Sequence, residues 1–146
     1  MKKSLMALAT SLTITAACSK KDNPIKLSKE FLLGKWNLTF SSFKKTVNTT
    51  VETDTIYKNL AGNYYDFKAN DTVYSLIMGD YDTVYYSIGK SLTGEDQISF
   101  THIGDAKADI LNIIQISKNQ FTIYQKTSNA SPGSNVTYEI KNILSR

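Results

Sequence analysis

The chain has 146 residues, 41% hydrophobic and 21% charged, with a formal net charge of +4. That leaves room for one domain and excludes both a disordered chain and a multi-spanning membrane protein. All but one of the 17 basic residues are lysines scattered along the chain, so no nucleic-acid partner is expected, since such binders concentrate Lys and Arg on one face.

Met1-Lys2-Lys3 is a short basic start, and Ser4 to Ala16 is mildly apolar, too short and too rich in Ser and Thr to span a bilayer. It runs into Thr15-Ala16-Ala17-Cys18. Small residues just ahead of a cysteine resemble a bacterial lipobox, with Thr15 where Leu is usual. The resemblance implies an export signal over residues 1–17 and diacylglycerol on the Cys18 thiol; an ordinary secretory signal that happens to contain Cys18 is the alternative. Each buried methylene contributes about 0.8 kcal/mol, and more than one acyl chain gives lasting attachment. Losing the signal removes Lys2 and Lys3, so +4 minus 2 leaves +2. Residues 18–29 then form a lipidated tether, polar through Ser19-Lys20-Lys21-Asp22-Asn23-Pro24, and residues 30–146 form the domain. The expected partner is a membrane and the expected location the cell envelope, on the outer membrane. In lipoproteins of the Bacteroidetes type, charged residues after the cysteine direct export to the surface. Lys20-Lys21-Asp22 matches that signal in part, which leaves periplasmic and cell-surface faces both open.

Ser28 to Leu33 reads as one helical turn capped by Ser28 and stopped by Gly34. From there period-two alternation dominates. Trp36, Leu38 and Phe40 are expected on one strand face, and Val47 to Tyr57 follows as a Thr/Val-rich strand. Tyr64 to Lys68, Thr72 to Met78 and Asp82 to Ile88 come next, separated by turns at Ala69-Asn70-Asp71 and Gly79-Asp80. Gln97 to Ile103, Ile110 to Ile116 (apolar on both faces) and Gln120 to Lys126 follow, with a turn at Ser117-Lys118-Asn119. Ser128 to Ser134, containing Pro132-Gly133, reads as a loop before the last strand, Val136 to Ile143. The fold class is therefore all-β, an antiparallel up-and-down meander of eight to nine strands with a short N-terminal helical turn. A closed barrel is favoured over a sandwich because closure removes the sheet edges.

Leu33-Gly34-Lys35-Trp36 resembles the G-x-W signature of lipocalin-like barrels, in which Gly34 and Trp36 would close one barrel end. Tyr65-Asp66-Phe67, the Tyr86 to Ile88 strand, Ile113 to Ile116 and Phe121 to Tyr124 are similar to lipocalin-like lipoproteins of Bacteroidetes, over about residues 30–144. The resemblance implies a lipocalin-like barrel with a cavity for a small apolar ligand and no catalytic residues. Many lipocalins stack a late arginine on the signature Trp. Here the sole arginine, Arg146, is the last residue, where that pairing is not expected, and a lysine stem can substitute.

Tyr64, Tyr86, Phe100, Phe121, Tyr124 and Tyr138 are candidate cavity-lining residues; filling a small barrel's core is the competing role. Asp-Thr-(Val/Ile)-Tyr occurs three times, at Asp54, Asp71 and Asp82. Strand starts explain the pattern, since Asp favours turns and Thr-Val-Tyr favours strands. It also looks like an O-glycosylation sequon of exported Bacteroidetes proteins, which would place sugar on Thr55, Thr72 and Thr83. The single cysteine excludes an internal disulfide, and with one histidine, His102, it argues against a zinc site. Asp80-Tyr81-Asp82 lacks the ligand ladder of a calcium loop, so no metal and no cofactor are expected. There is no G-x-S-x-G, P-loop or dinucleotide fingerprint, and an enzyme is not expected. A binding module holding a small apolar or amphipathic molecule leads, ahead of a filled barrel that docks on another envelope protein.

Overall fold

A computed structural model describes residues 25–58 and 60–146. The expected signal, the Cys18 lipidation site and the tether up to Pro24 lie outside the described residues. Ser28 is extended, and its Oγ accepts the Phe31 amide at 3.1 Å, which caps a single helical turn, α1 (Lys29–Leu32). Gly34, at φ +98°, takes a left-handed conformation open to glycine and turns the chain into the sheet.

Nine strands follow among the described residues: β1 (Gly34–Val47), β2 (Thr50–Lys58), β3 (Tyr64–Phe67), β4 (Thr72–Ile77), β5 (Asp80–Lys90), β6 (Asp96–His102), β7 (Asp109–Ser117), β8 (Gln120–Ser131) and β9 (Ser134–Ser145). All pairings are antiparallel. β1 meets β3 over Gly34–Asn37 and β9 over Asn37–Val47, so β1 and β3 to β9 close an eight-stranded barrel, with β2 as an extra strand on β1. The meander is thus a barrel and not a sandwich.

Two strand limits differ from the sequence expectation. Val47 to Tyr57 is not one strand: β1 runs to Val47, Asn48 turns at φ 54°, and β2 returns along it. Asn48 fixes that tip by donating its amide to the Asn135 carbonyl at 2.7 Å and accepting the Asn135 amide on Oδ1 at 2.9 Å. Ser128 to Ser134 is not a loop either, because β8 and β9 pair down to Ser131 opposite Ser134 and only Pro132-Gly133 turns. Thr and Ser fit exposed strands, so the polar composition concealed both extensions.

Bulges decide which residues point inward. In β1, Leu38 opposes Leu144 but Phe40 opposes Ile143, leaving Thr39 as the extra residue. Trp36 and Leu38 therefore face the interior, whereas Phe40 turns outward and Ser41 and Phe43 take the inner side, contrary to an unbroken alternation. In β7 the extra residue is Ile114, so Leu111, Ile113 and Ile116 all meet the core while Ile110 and Ile114 are exposed.

The core occupies the half of the barrel next to α1. Trp36, Phe121, Leu32, Phe67, Ile98 and Leu144 are among its fully or almost fully buried side chains. No residue of 40–58 or of 124–141 is buried. There β2, β1, β9 and β8 rise as a four-stranded wall beyond the closed core, because β1, β8 and β9 are longer than β3 to β7 and β2 pairs with the far part of β1.

Candidate functional site at the open end of the barrel

Aromatic rings fill the barrel from the α1 end upward. Phe31 lies 5.2 Å from Trp36, and Trp36 meets Phe121 edge-on at 4.7 Å. Phe121 leads to Phe67 at 6.4 Å, which touches Tyr86 edge-on at 5.1 Å and Phe100 at 6.4 Å. Tyr65 stacks on Phe100 at 6.0 Å with planes 10° apart. Such offset and edge-on pairs add about 0.5–1.5 kcal/mol each beyond their area.

The column ends short of the rim. Above it a cavity of about 380 Å³ opens to solvent, floored by Tyr65, Phe100, Val84 and Ser75. Its rim carries Asp80, Asp82, Asp109 and His102, with Ile77 and Met78 at the β4–β5 turn. Asp82 Oδ2 lies 3.3 Å from His102 Nδ1. Burial pushes the Tyr65 hydroxyl up to about 12, and the Asp82 charge adds to it.

The six residues expected to line a cavity divide by strand face. Phe100 lines it. Tyr86 and Phe121 point inward but are buried in the filled half, where the Tyr86 hydroxyl donates to the Lys68 carbonyl at 3.2 Å. Tyr138 lies on the inner side of the tall wall, 6.1 Å from Phe43. Tyr64 and Tyr124 do not line it. Tyr64 pairs with Asn37 on the outer face, beneath the Lys35 ammonium at 3.8 Å, and the inward position belongs to Tyr65. Tyr124 is on the outer face and donates to Glu139 Oε2 at 2.9 Å. The Tyr64-Tyr65 pair carries no local sign of which ring turns inward. The opposition of Tyr65 to Trp36 settles it.

At the other end Trp36 is fully buried against Phe31 and Phe121. Its Nε1 donates to the Leu32 carbonyl at 2.7 Å. The expectation for Arg146 is overturned. Its guanidinium lies 4.0 Å over the Trp36 ring and 5.6 Å from Phe31, and it donates to the carbonyls of Phe31 and Leu33. Because Asn37 opposes Ser145, the end of β9 arrives beside Trp36, and no lysine stem is needed.

Two of the Asp-Thr-Val-Tyr repeats turn out to be cross-strand partners. Thr72 opposes Tyr85, Val73 opposes Val84 and Tyr74 opposes Thr83, with both valines inward. Thr72 is buried, and its hydroxyl bonds Asn70, whereas Thr55 and Thr83 are only half-buried. Among the described residues no group of three His, Cys, Asp or Glu is placed to hold a metal ion, and no helix is long and apolar enough to cross a membrane. Compared with models of known protein families, with curated proteins and with solved structures, the chain has no match.

Proposed function

We propose that this chain is a lipid-anchored, lipocalin-like envelope protein whose barrel holds a small amphipathic molecule at its open end. The observation that carries the reading is the cavity of about 380 Å³, which has an aromatic floor and a polar rim, the usual make-up of a small-molecule site. Residues 25–33 lie under the opposite, filled end, where Leu27 and Leu32 join the core. The seven steps from Cys18 to Ile25 span at most about 25 Å, so lipid on Cys18 would hold the filled end toward a membrane and the mouth away from it.

Titration with the neutral dye N-phenyl-1-naphthylamine tests the binding reading. Met78→Trp puts bulk at the mouth from an exposed position outside the core. It is expected to weaken the dye about tenfold with little change in melting temperature. Equal binding by both proteins would place the dye elsewhere and defeat the reading. Cys18→Ser is expected to move the protein from the membrane to the soluble fraction, and intact mass of protein from its own host reads lipid on Cys18 and sugar on Thr55 or Thr83. A mutant that stays wholly with membranes removes the anchor.

A second reading, docking on another envelope protein, is favoured by the outer edge of β2. Among the described residues that strand pairs only with β1, and Val51, Ile56 and Tyr57 are exposed on it.

A further inference from the structure

The chain carries 17 basic and 13 acidic residues, but the cavity reverses that balance. Asp80, Asp82 and Asp109 line it, and no lysine or arginine does. Asp82 is partly engaged, since Oδ1 accepts the Thr83 amide at 2.7 Å and Oδ2 faces His102. Asp80 and Asp109 form no ion pair among the described residues. The carboxylates are not placed to chelate a metal ion together. Set around a low-dielectric floor, they act as a field that raises the local concentration of cations. Below them the stacked Tyr65 and Phe100 rings offer a flat apolar surface, and aromatic faces attract cations.

We propose that the cavity selects small organic monocations, an amine or amidine on a flat apolar body, with the charge toward Asp80 and Asp109 and the body on Tyr65 and Phe100. This rests on the reading of the barrel as a binding module. It adds the class of ligand.

The test displaces N-phenyl-1-naphthylamine from the full chain with three indoles of matched shape: tryptamine (cation), 3-ethylindole (neutral) and indole-3-propionate (anion). Tryptamine is expected to bind about tenfold more tightly than the anion, with an affinity that falls on adding salt while that of 3-ethylindole does not. In the double variant Asp80→Asn, Asp109→Asn, the gap between tryptamine and the anion is expected to close and 3-ethylindole to be unchanged. Salt dependence in the unaltered protein keeps the test decisive if the double variant fails to fold. Equal affinities for all three, or preference for the anion, would overturn the cation assignment and leave the binding reading standing. Failure of tryptamine to displace bound dye would do the same. Absence of dye binding in the first place would remove both.

Discussion

The guanidinium of Arg146 bonds two carbonyls of the α1 segment while covering the Trp36 ring, so one side chain ties the last residue to the first turn. Cation–π contact and charge-assisted hydrogen bonds act together there. Arg146→Ala is expected to lower stability by about 1–2 kcal/mol in urea unfolding, and Arg146→Lys to restore less than half, because an ammonium has no planar face to lay over the Trp36 ring while it bonds the carbonyls. Tyr65 gives a second residue-scale prediction. Its hydroxyl ionises near 10 when unfolded and at about 12 when folded, so the folded state holds the proton more tightly. Stability is complete below pH 10 and falls as pH climbs toward 12, by roughly 1–2 kcal/mol for this group. Burial raises Tyr86 and Tyr124 as well, so all three act in one direction. Tyr65→Phe is expected to flatten the alkaline limb of a denaturation series. Unchanged alkaline sensitivity would argue against a desolvated hydroxyl.

At the scale of elements, the bulges at Thr39 and Ile114 do most to set the interior. Ile113 and Ile114 are adjacent and chemically identical, but alternation from Leu111 buries the first and leaves the second 55% exposed, and the bulge then turns Ile116 rather than Gln115 to the core. Ile113→Ala is expected to cost about 2–4 kcal/mol and Ile114→Ala within about 0.5 kcal/mol, read from urea midpoints. Similar costs at both positions would mean that Ile113 does not face the core. The same effect limits what alternation can reveal. Leu38 is correctly read as inward, but Phe40 is not, because Thr39 adds a residue that no composition signal marks. The turns were more legible: Asn70-Asp71, Gly79 and Ser28 carry side chains or backbone freedom that belong to their own local geometry.

Across the whole molecule, a packed half and a thin wall share the same strands. The hairpin tips of β1–β2 and β8–β9 rest on backbone pairing with little burial, whereas the lower halves of β1, β8 and β9 enclose Trp36, Phe121 and Leu144. Amide exchange is therefore expected to be fast and sub-global above Ser42 and Lys126, and slow around Leu38, Ile123 and Leu144. Uniform protection along β8 would show that the wall is covered by something further. The wall and the short strands facing it also leave the rim uneven, which is why the cavity lies beside β4, β5 and β6.

Taken alone, the residues determined the all-β class, most strand positions, the Ser28-capped turn and the shared face of Trp36 and Leu38, because these follow from local backbone preference and period-two patterning. They named Phe100 at the site but chose Tyr64 over Tyr65 and set Arg146 apart from Trp36. Closure of β1 on β9, the two phase shifts and the gathering of Asp80, Asp82 and Asp109 around one cavity were decided only in three dimensions. The reason is physical: alternation shows that a strand has two unlike faces, while the partner strand across the sheet decides which of them turns inward.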